Sequence, residues 1–200
     1  MQQLAVRGHE AEQTGTGVGN TKLGMWLFLS SDFLFFGGFI AAFLLYRGRE
    51  GQAEPLLEDV LDIPFTSVTS FILLMSSLTM VLSLAAIQRG DHRRLRVWLM
   101  ATVLFGLTFI SGQVYEFTEF YREGFKLGTN LSASSFFVLT GLHGAHVTAG
   151  IVWLMSLWGM SVQGRLTSAD AEKVEVAGLY WHFVDVIWIV IFTVVYLVPQ

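Results

Sequence analysis

Five long apolar stretches, separated by short polar ones, run along this chain. They cover Leu23–Tyr46, Phe65–Ile87, Val97–Tyr115, Ser134–Val162 and Ala177–Val198. A helix crosses ~30 Å of hydrocarbon in ~20 apolar residues, so each stretch predicts a membrane-spanning helix. On this reading the third is the shortest, and the fourth is long enough to tilt or project. The polar breaks carry turn and loop chemistry. GREGQAEPLLEDVLDIP, between the first two spans, is acidic, holds Pro55 and Pro64, and predicts a connector with a short surface helix over Pro55–Leu61. MQQLAVRGHEAEQTGTGVGN is polar and Gly-rich, lacks the apolar core of a signal peptide, and reads as a flexible tail. The expected organisation is a tail over residues 1–21 and a five-helix all-α bundle over 22–200.

Composition agrees. Of 200 residues, 53% are apolar and 14% charged, against about 25% charged in a soluble domain. A net charge of −4 argues against a nucleic-acid partner. With no cysteine, disulfides, iron–sulfur clusters, thiolate zinc sites and cysteine nucleophiles are excluded. Basic residues set the expected direction. Eight of the 12 lie on one side: Arg7, Lys22, Arg89, Arg93, Arg94, Arg96, Arg165 and Lys173. Arg47, Arg49, Arg122 and Lys126 lie on the other. The N-terminus is therefore expected in the cytoplasm and the C-terminus outside. Aromatic residues near the span edges (Trp26, Trp98, Trp158, Tyr180 and Trp181; Tyr46, Tyr115 and Tyr196) suit interfacial belts. Small residues repeat every fourth position at Gly37, Gly38, Ala41 and Ala42, and at Gly141, Ala145 and Ala149. Such stripes let helix backbones approach closely. Packing inside the bundle is the first expectation, docking of a partner the second.

Ionisable groups inside a span are costly and tend to pair within the bundle. Here they are Asp32, Glu116, His143, His146, His182 and Asp185, with Glu119 just beyond Glu116. The E-x-x-E, H-x-x-H and H-x-x-D spacings each put two side chains on one helix face. Acids and histidines on facing helices also build di-iron sites, so a metal must be weighed. At ~1.5 Å per residue, Asp32, His146 and Asp185 share a depth of roughly 12–14 Å from one edge, while Glu116 lies about 28 Å away from it. One ion cannot join the two groups. A midplane layer remains: Asp32, His143, His146, His182 and Asp185, open to readings as hydrogen-bonded packing, proton handling, lipid-headgroup contact or metal binding. Glu116 and Glu119 are outer-edge acids. Asp32 is read first as a carboxyl hydrogen-bonded to a neighbouring helix, and second as a proton-exchanging group. No phosphate-cradling Gly loop, G-x-S-x-G elbow or H-E-x-x-H motif is present.

The motifs resemble a known family. "KLGMWLFLSSDFLFFGGF", "TSFILLMSSLTM" and "SGQVYEFTEF" are similar to its helices. The most specific are "SSFFVLTGLHGAHVTAGIVW" and "LYWHFVDVIWIVIFTVVYLV". Together, from Lys22 to Val198, they resemble subunit III of the haem–copper respiratory oxidases in its five-helix bacterial form. The resemblance implies a non-catalytic plasma-membrane subunit with no haem, copper or other metal of its own. Haem, copper and oxygen reduction coupled to proton pumping would belong to subunits I and II. This subunit would stabilise subunit I directly, hold phospholipid in an interhelical cleft, and take part in oxygen access and proton uptake. Subunit II, a small subunit IV and a respiratory supercomplex are further implied partners. Many cytochrome c oxidase relatives have Glu where this chain has Asp32, and Asp there resembles the quinol-oxidase branch. The two extra N-terminal helices of longer relatives are expected to be missing. Rival readings are an accessory protein of a nitric oxide reductase, a small membrane di-metal oxidase, and a proton-coupled transporter.

Overall fold

A computed structural model describes residues 19–47 and 61–198. The tail over residues 1–18, the connector over 48–60, and Arg7 and Arg49 lie outside them. Five helices follow in order. They are α1 (Asn20–Tyr46), α2 (Ile63–Gln88), α3 (His92–Arg122), α4 (Leu131–Val162) and α5 (Ala171–Phe192). A 3₁₀ turn at Ser168–Asp170 leads into α5, and a π turn at Thr193–Leu197 ends it. All five are long and apolar enough to cross a membrane, α5 together with its flanking turns. The chain is a multi-pass membrane protein, all-α among its described residues.

The starts are written in short polar side chains, which accept from amide groups left open by the helix. Asp62 accepts from the Phe65 amide, Asp91 from that of Arg94, and Asn130 from that of Ala133. At the last corner, Asp170 accepts from the amide and hydroxyl of Thr167 and pairs with Lys173. The α2–α3 turn needs Gly90, whose φ of 73° lies in the left-handed region that disfavours a Cβ.

The third span differs most from expectation. It is 31 residues long, one of the longest instead of the shortest. Apolar content faded at both ends, but the Asp91 cap starts the helix before Val97, and Arg122 pairs with Glu119 in the last turn. Glu116 and Glu119 therefore sit on the helix itself.

Packing is uneven. α2 and α3 form the most extensive pair, and α4 and α5 close the bundle around them. α1 lies at its edge, chiefly against α4 and α5. Trp181 is the pivot. A Cβ on Gly106 of α3 would fall 2.7 Å from its indole, and one on Gly150 of α4 2.9 Å. Gly112 meets Thr69 and Gly144 meets Gln113 equally closely. The close-approach glycines are thus not those of the four-residue stripes. Gly37, Gly38 and Gly141 would meet nothing within 4 Å, and Ala41, Ala145 and Ala149 are exposed. Those stripes face mostly outward, with Ala42 and Gly141 half-buried. Tyr180, Trp181 and Tyr196 are core residues and not an interfacial belt, whereas Trp26 and Tyr115 are exposed.

Candidate functional site

The midplane residues separate into three neighbourhoods. The first joins α1 to α4. His146 Nε2 stands 3.7 Å from Asp32 Oδ2, too long for a hydrogen bond but close for an ion pair. Its Nδ1 lies 2.8 Å from the carbonyl of Leu142, one turn earlier. A carbonyl only accepts, so Nδ1 carries the hydrogen and Nε2 is the nitrogen turned to Asp32. Phe36 packs edge-on against the imidazole, and the Tyr180 hydroxyl of α5 donates to the His146 carbonyl at 3.0 Å.

The second neighbourhood is deep. His143 is fully buried and holds α4 to α5 by donating from Nε2 to the Val184 carbonyl at 3.2 Å. Its ring lies 4.8 Å from that of Trp188, which in turn meets Phe109 of α3 edge-on. The third joins α5 to α2: the Ser77 hydroxyl donates to Asp185 Oδ2 at 2.6 Å. Asp185 Oδ1 and His143 Nδ1 are buried without a hydrogen-bond partner among the described residues.

His182 stands apart from all three. It lines an apolar groove of about 580 Å³ between α1 and α5. Trp26, Phe33 and Leu34 form one wall, Phe183 and Val186 the other. H-x-x-D does share a helix face, yet i and i+3 differ by ~60° of helix rotation. That angle turns Asp185 to α2 and leaves His182 at the groove. Among the described residues, no group of three or more His, Asp or Glu could hold a metal ion.

The outer-edge acids also part. Glu119 pairs with Arg122 at 2.6 Å. Glu116 is buried and accepts from Thr66 of α2 at 2.7 Å and from Tyr196 at the end of α5 at 3.0 Å. It knots three helices at one end of the bundle.

Sequence reasoning missed the polar row on α2. Ser70 accepts from Trp188 Nε1, Ser76 from Trp181 Nε1, and Thr79 bonds Thr102 of α3. Thr66, Ser70, Ser76, Ser77 and Ser83 recur at near-helical spacing in an apolar span. Small hydroxyl residues crossing a membrane helix in that way mark a helix interface, and that signal was available.

Comparison with known proteins gives the family. The family model for cytochrome c oxidase subunit III matches residues 4–199. The chain belongs to the cytochrome c oxidase subunit III family. The match reaches further toward the N-terminus than the motifs from Lys22 onward. Cytochrome c oxidase subunit 3 of Bacillus sp. (strain PS3) is 37% identical over 93% of this chain and 90% of its own length. Cytochrome c oxidase subunit 3 of Alkalihalophilus pseudofirmus is 40% identical over 89% and 86%. The probable quinol oxidase subunit 3 of Staphylococcus saprophyticus is 36% identical over 88% of each. The protein is thus a subunit III of a haem–copper oxidase, of the cytochrome c or quinol type, and works with partner oxidase subunits.

Proposed function

We propose that this subunit III is a non-catalytic scaffold of a bacterial plasma-membrane oxidase. It holds subunit I in its working form and binds phospholipid between its own helices. The N-terminus lies in the cytoplasm. Haem and copper reside in subunits I and II, with cytochrome c or a quinol as the electron donor, and this chain brings phospholipid as its only cofactor. Subunit II, a small subunit IV and a respiratory supercomplex complete the assembly.

One observation carries the lipid reading: the α1–α5 groove, whose lining is apolar apart from Ser30 and His182. A cleft of that volume and polarity accepts an acyl chain, with His182 as a donor for an ester or phosphate oxygen. The three polar neighbourhoods then serve to register helices against one another.

The experiment is turnover-dependent decay. His146→Ala or Asp32→Ala in the intact oxidase should leave the first turnovers near normal and shorten the active lifetime or lower assembly. Abolished first turnovers, with normal assembly and haem content, would overturn the scaffold role. Oxygen consumption with reduced cytochrome c and with a quinol, on the same preparation, assigns the donor.

A further inference from the structure

A second cavity, of about 750 Å³, opens at the α2–α3 turn and shares no lining residue with the α1–α5 groove. Its floor is apolar: Leu82 and Ala85 from α2, Val97 and Trp98 from α3. Its rim is basic: Arg89, Arg93 and Arg94. The tight turn at Gly90 brings the last turn of one helix and the first of the next to one mouth. Asp91 is the single acid in the lining and is already engaged. One of its oxygens caps α3, and the other pairs with Arg94 Nε at 3.2 Å. Arg89 and Arg93 are exposed and leave the rim net positive.

The floor also continues into the membrane. One and two turns below Leu82, Leu78 and Leu74 are exposed on α2. On α3 the row from Val97 continues through Ala101 and Phe105, both half-buried. The shape is therefore two-ended, cationic at the helix ends and apolar along the helices. A free phosphate would use the arginines and ignore the floor. An acyl chain alone would use the floor and ignore the arginines. The geometry points to an anionic phospholipid, its phosphate on Arg89 and Arg93 and its chains in the furrow between α2 and α3. Arginine suits this place because its planar fork meets phosphate oxygens in pairs. The inference needs only a bilayer around the bundle and is independent of the electron donor and of the α1–α5 groove.

The test uses the intact oxidase in mild detergent and a photoactivatable phosphatidylglycerol whose attachment is mapped by peptide mass spectrometry. Label is expected on the α2–α3 segment. Unlabelled phosphatidylglycerol should displace it about tenfold better than phosphatidylcholine with the same chains, and inorganic phosphate should not displace it. R89Q/R93Q should lower labelling roughly 25-fold, at about fivefold per arginine, while R89K/R93K, which keeps the charge but loses the planar fork, should fall between that variant and the unaltered chain. Should the double variant fail to assemble, R89Q and R93Q singly are each expected to show the fivefold loss. Equal displacement by both lipids, displacement by inorganic phosphate, or labelling unchanged by loss of the arginines would each overturn the proposal. An unaltered haem spectrum and oxygen consumption in the variants keep this result separate from the scaffold reading.

Discussion

α1 and α5 are both apolar enough to span a membrane and run in the same direction, yet they are built for opposite ends. Half of the α5 span is buried inside the bundle, but only 17% of α1. α5 turns its large rings inward: Trp181 and Trp188 are 2% exposed, and each indole N–H donates to a serine of α2. α1 turns Trp26, Phe33, Leu34 and Leu45 outward. In water such a face would be a fault. In lipid it carries no penalty, because apolar side chains leave one hydrocarbon for another. What must differ is the means of attachment. α5 is held by shape and hydrogen bonds along its length. α1 buries a single row, Leu29, Phe36 and Phe43, and adds polar ties at its two ends, where Lys22 meets Glu175 at 2.8 Å and Arg47 donates to the carbonyls of Val194 and Val198. The Asp32–His146 contact lies between.

The contrast is broken most sharply at Trp181. Trp181→Ala should cost about 3–5 kcal/mol, the usual cost of emptying a packed aromatic site. Unfolding of the purified chain in mixed lipid–detergent micelles, followed by loss of helical circular dichroism, reads it. Gly150→Val tests the same site from the other side. Its Cβ would sit 2.9 Å from the indole, and overpacking of this kind costs about 1–3 kcal/mol. A loss under about 1 kcal/mol from both would mean that α5 is not the core.

Next comes the attachment of α1. Arg47 caps the last carbonyls of α5, where a cation also meets the negative end of the helix. Arg47→Ala should therefore release the far end of α1 by about 1.5–3 kcal/mol, the range for hydrogen bonds to a charged group. Lys22→Ala should matter less, about 0–1 kcal/mol, since its ion pair is a third exposed. The chain has no cysteine, so a single Ala42→Cys, half-buried near the Arg47 end of α1, reports release of that end through its labelling rate. Equal rates with and without Arg47 would show that α1 is held along its length after all.

Much of this fold was written in the order of residues. Span number and helix identity follow from apolar length, because lipid leaves the backbone little choice but a helix. The alternation of successive helices was legible too, since residues expected on one side of the membrane do meet at one end of the bundle: Arg96 beside Ser161, Lys22 beside Glu175. Burial was not legible. α1 and α5 have nearly equal apolar content, and in a membrane apolarity does not say which face is inside. For the same reason the conspicuous stripe Gly37, Gly38 and Ala41 proved to face outward, while isolated Gly106 and Gly150 cradle the tryptophan. Depth estimates put Asp32, His143, His146, His182 and Asp185 at one level, as a one-dimensional reading must. Rotation about each helix axis then separated them, and the hydroxyl partners on α2 gave the better clue.

The smallest change bears on what α1 touches outside this chain. Gly38→Ala would place a methyl where nothing lies within 4 Å. In the purified chain it should be neutral or stabilising by at most about 1 kcal/mol, the helix preference of Ala over Gly. Gly144→Ala, where the methyl would fall 2.6 Å from Gln113, is the inward control and should destabilise. If a helix of subunit I approaches along the outward stripe, Gly38→Leu holds that backbone off, and the oxidase should lose subunit III sooner in detergent while the isolated chain stays as stable as before. If only lipid lies there, retention of the subunit is unchanged, because an acyl chain moves aside for a leucine and a helix backbone cannot. Subunit III retention after a detergent wash, compared between Gly38→Leu and Gly144→Ala, thus tells a face made for protein from one made for lipid.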